Sequence, residues 1–519
     1  MTDDRTLGRL TRREAMALAS AAGAASLLNA AAFAQGAPKK GGVLKVSANA
    51  NPSSLDPQTG GAGSDHTMLF PMYDTLVEWD YETLKPKPGL AESWSFTDPQ
   101  TLVMKIRSGV TFHDGTPLDA EAVKFNLERA KTEQRSNIKA DLATVASVEV
   151  SGPQQVTLKL SQPDAALPGI LSDRAGMMIS PAAVKASGNI DRKPVGTGAY
   201  QFVSWTDNEK IVVKRYEKYW RANERHLDGI EFAIIPEIAT GVRSVVAGQN
   251  HVAYSLPARQ KAVLKRAAGV KQATGPTVYC QQIYFNWGKP PFNDIRVRKA
   301  LNHAVDRATF VKATLDGVGE PAHMNLPSSH WAYDAEVARL YPFDPAKARA
   351  LLKEANVPQG FELDLIGYTD QDSIRREEIL IEQLAKVGLK AKFTNGSIAE
   401  MSAAFFGKDK KGVGLLSAWT GRPDPSLTYT LMYSKNSYFN AGRADVPADL
   451  PDALTATRAS ENIDARKKAF ARVQRIVMEN ALVCPLAFQF ELDALSPKVR
   501  GFKPNLLGKP KYEGVWLES

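Results

Sequence analysis

The chain has 519 residues, of which 44% are hydrophobic and 23% charged, which is typical of a globular protein with two or three domains. Its formal net charge is +9, but the basic residues are dispersed, and the short runs at 408–411 and 508–511 contain no interleaved aromatic residues. These features exclude a low-complexity chain, and they favour solvated surface runs over nucleic-acid binding.

The first 34 residues have the pattern of an export signal. Arg12 and Arg13 precede an Ala-rich apolar run, and the tripeptide Ala32–Ala34 supplies the small residues that a signal peptidase requires. We interpret residues 1–34 as a twin-arginine signal peptide cleaved before Gln35. The large apolar residue usual two places after the arginines is missing, so an ordinary secretory signal is the alternative. We expect an unanchored periplasmic protein, because no Cys ends the signal and no later window has the ~18–20 apolar residues of a membrane span.

Predicted strands and amphipathic helices alternate along the mature chain. Residues 41–49 (GGVLKVSAN) predict a first strand, and 119–131 (DAEAVKFNLERAK) predict a helix whose N-terminus Asp119 caps. Residues 294–314 (DIRVRKALNHAVDRATFVKAT) predict a single amphipathic helix. Two more helices are predicted at residues 345–355 and 375–388. A strand is predicted after each of them, at 361–368 and at 390–395. This alternation indicates an α/β fold.

Cys280 and Cys484 are the only cysteines of the chain, and both lie in apolar, strand-like runs. An exported protein can form a disulfide. Two buried free thiols are the equal alternative, because the sequence gives no distance between the two residues.

The usual catalytic and metal-binding templates are missing. The seven His residues form no His-Glu-x-x-His pair, the cysteines have no zinc spacing, and there is no phosphate-binding loop. Gly196 and Gly198 lack the third glycine of a dinucleotide site. Ser136 and Lys139 match Ser-x-x-Lys, but the companion elements of that motif are missing. We therefore expect no catalytic residue, no bound metal and no cofactor.

Several long motifs resemble one family. LAESWSF and the segment 105–130 (KIRSGVTFHDGTPLDAEAVKFNLERA) closely resemble the signature of the family-5 solute-binding proteins, the extracytoplasmic receptors of peptide, nickel and opine ABC importers. The motifs at 194–205, 290–307 and 343–355 follow in the order of that family, so the resemblance covers nearly the whole mature chain. One departure is AGQNHVA, in which Gln249 and His251 stand where the family usually has carboxylates. His113 in the signature is interpreted as a structural hydrogen-bonding residue.

The resemblance implies a two-lobed periplasmic-binding-protein fold of type II, which closes by a hinge over its ligand. Lobe one is expected at 41–275 and 495–519, with an inserted subdomain at about 81–191, and lobe two at 276–494. The implied function is that of a monomeric substrate-binding protein, which delivers a peptide, a peptide-like solute or an organic acid to an ABC permease and ATPase complex in the inner membrane. The alternatives are a hydrolase or other enzyme on the same shell, and a nickel or haem receptor.

The loop WTGRPDPSL, 419–427, is the first candidate for ligand contact. In peptide-binding relatives an Asp of the corresponding loop pairs with the peptide amine, and alignment places Gly421 at that position. Arg422 follows, and its guanidinium is suited to a carboxylate. Asp424 either contacts a ligand amine or forms an ion pair with Arg422 that only stiffens the loop. Trp419 is predicted to be a flat apolar wall of the site, with core packing as the alternative.

Further candidates come from other parts of the chain. Trp287, in YFNWGKPPF, is predicted near the lobe junction. Ser64, Asp65 and His66, in GGAGSDHTM, would face the cleft from lobe one, as the corresponding loop does in relatives. His66 as a nickel or haem ligand is the less favoured interpretation, because one imidazole does not make a metal site.

Overall fold

The computed structural model describes residues 37–408, 410–440, 442 and 446–518. The predicted signal peptide and its cleavage site lie outside these residues. Among the described helices, none combines the length and the apolar character needed to cross a bilayer.

The strands alternate with helices as the sequence predicts. The strands are β1 (Val43–Ala48), β2 (Val77–Trp79), β3 (Pro86–Pro88), β4 (Ala91–Asp98), β5 (Thr101–Ile106), β6 (Val145–Gly152), β7 (Gln155–Leu160), β8 (Tyr200–Thr206), β9 (Lys210–Arg215), β10 (Gly229–Ile234), β11 (Val252–Ala253), β12 (Lys271–Gly275), β13 (Cys280–Phe285), β14 (Gly319–Pro321), β15 (Phe361–Tyr368), β16 (Leu389–Gly396), β17 (Gly414–Trp419), β18 (Val483–Gln489), β19 (Glu491–Leu495), β20 (Val499–Arg500) and β21 (Trp516–Leu517).

The helices begin mostly at Asp, Asn or Ser caps. They are α1 (His66–Leu69), α2 (Ala120–Thr132), α3 (Leu167–Ile170), α4 (Pro181–Ser187), α5 (Ile238–Val246), α6 (Gln260–Arg266), α7 (Ile295–Ala304), α8 (Arg307–Leu315), α9 (Pro345–Glu354), α10 (Gln371–Ala385), α11 (Ile398–Phe406), α12 (Pro425–Tyr433), α13 (Leu450–Ala456) and α14 (Ile463–Glu479).

Two large mixed sheets organise the chain. The first has the strand order β12-β19-β11-β1-β10-β9-β8, and the second has the order β14-β18-β13-β17-β15-β16. The chain passes from the first sheet to the second between β12 and β13, and it returns between β18 and β19. A four-stranded antiparallel sheet, β4-β5-β7-β6, is inserted between β1 and β8. The residue limits of the two lobes and of the inserted subdomain stay predictions.

The predicted elements are confirmed, with one exception. The single helix predicted over 294–314 is wrong, because the structure has α7 and α8 with a break at Val305 and Asp306. Val305 is extended, with φ −88° and ψ 115°, and the Asp306 carboxylate accepts hydrogen bonds from the backbone N–H and the hydroxyl of Thr309. An N-cap inside an amphipathic run therefore starts a new helix. In the same way, the helix predicted from residue 375 already begins at Gln371, after the cap Asp370.

The central strand of the second sheet is buried on both faces. Ile283 and Phe285 of β13 pack into the core that contains α7 to α10, whereas Tyr284 packs into a second core on the opposite face. A strand covered on both faces is usually a continuous apolar run, and β13 departs from this at the buried Gln281 and Gln282.

The two cysteines are buried free thiols, so the disulfide alternative is wrong. In the ladder between β13 and β18, Cys280 is paired with Phe488 and Cys484 with Ile283, which separates the two thiols along the strands. Burial raises the pKa of Cys484 to about 11, and burial also raises that of Cys280. Both residues act as small apolar core side chains.

His113 has the structural role predicted for it. Its Nε2 lies 2.9 Å from the Gly198 carbonyl oxygen, and its Nδ1 lies 3.3 Å from the backbone nitrogen of Gly196. The two glycines permit close packing, because a Cβ on Gly196 would lie 2.1 Å from the Met72 carbonyl oxygen.

Candidate functional site

A cavity of about 330 Å³ lies where the chain crosses between the two large sheets. Both crossings contribute to its wall, through Thr277 and Tyr279 on one and through residues 489–492 on the other. The rest of the wall comes from Asn49, Gly63, Ser64 and Thr67, the segment 254–256, Thr420 and the segment 507–510. A ligand in this cavity would contact segments attached to both sheets, which is where a hinged binding protein holds its ligand.

Arg422 is not among the residues that line this cavity, but it follows Thr420 of the cavity wall by two positions. Its guanidinium carbon is 4.8 Å from the centre of the Trp419 ring, and Nη1 donates to the Gly421 carbonyl at 2.6 Å and to the Thr420 hydroxyl at 3.2 Å. The side chain is only half-buried, and Asp141 and Lys509 are charged neighbours. Arg422 thus keeps donors accessible to water near Lys509 of the cavity wall, and its contact with a ligand stays a prediction.

Asp424 forms its ion pair with Arg466, so the predicted pair with Arg422 is wrong. Arg466 Nη2 lies 2.9 Å and 2.8 Å from the two carboxylate oxygens, and both side chains are buried. Asp424 also caps α12 by accepting from the backbone N–H of Ser426 at 2.9 Å. The physical reason is burial: a fully desolvated carboxylate needs a partner inside the protein, whereas Arg422 remains accessible to water.

The two predicted tryptophans lie in the core on the outer face of the second sheet. Trp419 is buried, donates from Nε1 to the Thr428 hydroxyl at 3.0 Å, and meets the Phe439 ring edge-on with centroids 5.3 Å apart. Trp287 is buried too, and its indole nitrogen has no hydrogen-bond partner in the described part of the chain. These positions favour the core-packing interpretation for both residues, and ligand contact by either stays a prediction.

The predicted loop of lobe one contributes unequally to the site. Ser64 lines the cavity. Asp65 is fully buried and accepts hydrogen bonds from the backbone N–H and the hydroxyl of Ser53, at 3.0 Å and 2.6 Å, and from Arg174 at 3.1 Å. Its contacts fix the loop in place. A role of Asp65 in binding ligand stays a prediction.

His66 is occupied by protein partners on both ring nitrogens. Nδ1 lies 3.0 Å from the Gly63 carbonyl oxygen, and Nε2 lies 2.6 Å from Asp173 Oδ1 and 3.0 Å from Lys509 Nζ. Burial, opposed by Asp173, lowers the pKa of His66 to about 4. Among the described residues no group of three His, Cys, Asp or Glu side chains could hold a metal ion.

The segment 508–511 is not the solvated surface run that the sequence predicts. Lys511 is buried, with its ammonium 4.8 Å and 4.9 Å from the ring centres of Phe70 and Trp79. Lys509 lines the cavity, and its ammonium lies 3.1 Å from Asp173 Oδ2. Burial alone would raise the pKa of Asp173, but His66 and Lys509 hold it well below its ordinary value. Sequence analysis missed Lys509 because aromatic partners distant in sequence bury this basic segment.

Sequence analysis also missed Glu491, the acidic side chain of the cavity wall. It lies on β19, in the run ELDAL, where Asp493 is the next residue on the same face of the strand. Two carboxylates at alternate positions of a buried apolar strand were the signal that could have identified this part of the site.

Comparison with known proteins identifies the family. Residues 85–440 match the model described as bacterial extracellular solute-binding proteins, family 5 Middle. Over 473 residues the chain is 32% identical to the glutathione-binding protein GsiB of Salmonella paratyphi A, an alignment that covers 88% of this chain and 91% of GsiB.

Solved structures share the fold. The periplasmic binding protein DppA of Helicobacter pylori, in complex with the peptide STSA, aligns with a TM-score of 0.79 at 23% identity and covers 93% of this chain and 99% of its own. The substrate-binding protein CtaP of Listeria monocytogenes aligns with a TM-score of 0.83 at 21% identity and covers 93% of this chain and 100% of its own. The fold is therefore the two-lobed α/β fold of periplasmic binding proteins.

The relatives are substrate-binding proteins rather than enzymes. The cavity between the two large sheets is in keeping with that role. The chain belongs to family 5 of the bacterial extracellular solute-binding proteins, and it is a periplasmic receptor that supplies a solute to an ABC importer.

Proposed function

We propose that this receptor captures a small peptide-like solute with at least one carboxylate, and that glutathione is the first such solute to test. The observation that carries the proposal is the cavity between the two sheets, which has Lys509 in its wall and Arg422 as a charged neighbour of Lys509. Relatives support the proposal. The GsiB proteins, which are 31–32% identical to this chain, are glutathione-binding proteins, and the structurally similar DppA is in complex with a peptide.

The size and the charge of the cavity fit such a ligand. Its volume of about 330 Å³ is near the lower end of the ~300–1,000 Å³ range of small-molecule sites, which suits a ligand of two or three residues. Lys509 offers an ammonium and Arg422 a planar fork, and a carboxylate can accept hydrogen bonds from both. Ser64, Thr277 and Thr420 add hydroxyl groups for the peptide backbone.

We propose that the receptor binds its solute without converting it chemically. Ser136 donates its hydroxyl hydrogen to the Ala130 carbonyl at 2.6 Å, and the Lys139 ammonium lies 3.3 Å from the Gln134 carbonyl oxygen. The Ser-x-x-Lys pair is therefore engaged with the backbone rather than arranged as a nucleophile and a base.

The proposed delivery partners are the permease and the ATPase of an ABC importer in the inner membrane. We propose that the receptor acts as a monomer. Hinge closure around the solute would create the surface that the permease recognises.

Calorimetry with glutathione, and with the analogue whose glycine carboxylate is an amide, tests the proposal. We expect the native protein to bind glutathione at least tenfold more tightly than the amide. Arg422→Ala should lose roughly tenfold to hundredfold in affinity for glutathione, the equivalent of about 1.5–3 kcal/mol for a charge-assisted contact. Arg422→Lys should recover only part of that loss, because an ammonium cannot replace the planar fork.

Arg339→Ala is the matched control, since Arg339 is 74% exposed and pairs only with Glu336 within its own turn. It should bind like the native protein. Equal affinity of the native protein for glutathione and its amide would refute the carboxylate site. Conversion of glutathione during incubation, followed by chromatography, would refute binding without chemistry.

A further inference from the structure

Two acidic side chains of β19 form a buried pair beside the cavity. Glu491 is 8% exposed and lines the cavity, whereas Asp493 is completely buried. They are two positions apart on one strand, so both side chains point to the same side of the first sheet. Tyr254 and Ser255, at the end of β11, also belong to the cavity wall.

Ser255 satisfies one oxygen of each carboxylate. Its backbone N–H donates to Asp493 Oδ1 at 3.0 Å, and its hydroxyl donates to Glu491 Oε1 at 2.8 Å. Ser255 has φ +53°, a left-handed conformation that costs a non-glycine residue about 1 kcal/mol or more. Ser255 is thus held in an unfavourable backbone conformation in which its N–H binds Asp493 and its hydroxyl binds Glu491.

The two carboxyl groups also hydrogen-bond each other, side chain to side chain. Within the described ranges, no N–H or O–H group of another residue donates to the buried Asp493 Oδ2. Glu491 Oε2 points toward Gly508 in the cavity wall, where a Cβ would lie 3.2 Å from it. The Tyr254 hydroxyl is buried there as well, and Thr67 lies beside it without a hydrogen bond of normal geometry. The cavity wall therefore carries one buried hydroxyl without a hydrogen bond of normal geometry, that of Tyr254, beside a carboxyl group of the same wall, that of Glu491.

No cation balances the pair in the part of the chain that the structure describes. The titratable groups that face it from other elements are Tyr254 after β11 and Tyr512 near the C-terminus. Burial and the two carboxylates keep both tyrosines neutral by raising their pKa. Burial also raises the pKa of Glu491, and burial together with the charge of Glu491 raises that of Asp493. Buried charges without counter-charge are rare unless a ligand supplies it.

We propose that Glu491 and Asp493, with the Tyr254 hydroxyl, form a subsite for the ammonium group of the solute. An ammonium can donate to the Glu491 carboxylate and to the Tyr254 hydroxyl in the cavity wall, and Asp493, buried next to Glu491, adds a second negative charge. The inference rests on the proposed function, because it assigns the amine end of the same peptide-like ligand. Lys509 and Glu491 would then bind the opposite charges of a zwitterion in one cavity.

The loop after β17 does not provide this contact. Gly421, which alignment places at the position of the amine-pairing Asp in peptide-binding relatives, has φ +73°, and a Cβ there would lie 2.1 Å from Val278 Cγ2. No side chain fits at that position without displacing Val278. The only buried carboxylate of that loop, Asp424, is engaged by Arg466. β19 therefore supplies the acidic partner that this loop lacks.

Ammonium binding would change the protonation of the pair. In the empty receptor the two carboxyl groups share one proton, because two like charges this close cannot both ionise at neutral pH. When the ammonium binds, it supplies the positive charge, and the shared proton leaves to solvent. Each ammonium group that binds therefore releases up to one proton from the pair to solvent.

Two calorimetric ligands test the subsite: glutathione, and glutaryl-cysteinylglycine, which is glutathione without its amino group. We expect the native protein to prefer glutathione at least tenfold, and Glu491→Gln to remove most of that preference. Titrations in two buffers of different ionisation enthalpy should show proton release with glutathione and none with the analogue. Asp493→Asn is a second variant, which should act in the same direction if Glu491→Gln fails to fold.

Glu377→Gln is the matched control, because Glu377 is also a buried carboxylate but is engaged by Asn395 and the backbone of Tyr368, outside the cavity. It should keep the native preference. Equal affinity of the native protein for both ligands would overturn the subsite and leave the proposed function intact. If neither ligand binds, the proposed function fails and the subsite fails with it. If folded Glu491→Gln keeps the full preference for glutathione over the analogue, the ammonium subsite is also overturned.

Discussion

At the scale of single residues, burial decides which charged side chains hold the structure and which remain available to a ligand. Arg466 is buried, pairs with Asp424 through both carboxylate oxygens and donates from Nε to the Thr457 carbonyl at 3.0 Å. Arg422 has only local partners and stays half-buried. We therefore expect substitution of Arg466 to affect stability and substitution of Arg422 to affect binding.

Arg466→Met should lower the free energy of unfolding by about 3–5 kcal/mol, because it leaves the Asp424 carboxylate buried without a counter-charge. Urea denaturation followed by tryptophan fluorescence measures this. Arg475→Met, which breaks an exposed pair with Glu479, is the control and should cost less than about 1 kcal/mol. A loss for Arg466→Met as small as that of the control would show that the Asp424 pair does not stabilise the fold.

Glu491 should give the ligand-free receptor a distinctive pH dependence. Burial raises the pKa of Glu491 to about 7, above the value near 4.5 of an exposed Glu, so between these values the folded state binds more protons than the unfolded state. The contribution of the protonated group is fully present below the lower value and is lost as pH rises through about 7. The melting temperature of the native protein, minus that of Glu491→Gln, should therefore fall from pH 5 to pH 8.

The same scan on both proteins cancels the titration of His66 and of other groups outside the pair. A difference in melting temperature that stays constant from pH 5 to pH 8 would contradict the raised pKa.

At the scale of elements, one ion pair joins the inserted four-stranded sheet to the helices beside the second sheet. Arg458, which follows α13, donates from Nε and Nη2 to the two oxygens of Asp164 at 2.7 Å and 2.6 Å, and its carbonyl accepts from the Ala165 backbone at 2.8 Å. Asp164 is fully buried and follows β7 of the inserted sheet. Leu427 of α12 packs into the core of that sheet as well. We expect these contacts, which are formed in this structure, to stabilise the closed arrangement around the cavity.

Arg458→Met should weaken binding of every ligand by a similar factor, because it destabilises the closed form without touching the cavity. An interface charge pair truncated on one side costs about 2 kcal/mol or more, so we expect at least a tenfold faster dissociation in stopped-flow measurements. The ratio of affinities for glutathione and its amide should stay as in the native protein. Altered discrimination between these ligands would instead place Arg458 in the binding site.

At the scale of the whole molecule, the described chain crosses between the two large sheets twice, between β12 and β13 and between β18 and β19. The cavity lies at these crossings, so small rotations at 276–279 and near residue 490 would open or close it. A ligand that touches segments of both sheets binds the closed arrangement better and shifts the population toward it.

Glutathione should therefore reduce the radius of gyration measured by X-ray scattering and raise the melting temperature. The rise should grow with the logarithm of ligand concentration over the dissociation constant. Arg422→Ala should need a higher concentration for the same change. Saturating glutathione that leaves the scattering curve unchanged would contradict a hinged receptor.

The sequence by itself determined the family and most of the elements. Long motifs such as residues 105–130 identify the family without knowledge of any contact, and local signals such as Asp119 before an amphipathic run fix where a helix begins. Two local signals can also conflict. The apolar periodicity over 294–314 predicts one helix, whereas the N-cap Asp306 divides the segment into two helices.

Only the tertiary structure decided the partners of charged residues. Asp424 and Arg466 are 42 positions apart, and Asp173 and Lys509 are 336 apart, so no spacing in the sequence predicts either pair. Burial is a property of the folded chain, and it made Lys509 and Glu491 part of the cavity wall while it placed Trp419 in a core. Because the strength of an electrostatic interaction depends on how far water is excluded, the charge chemistry of the site follows from packing that the sequence does not display.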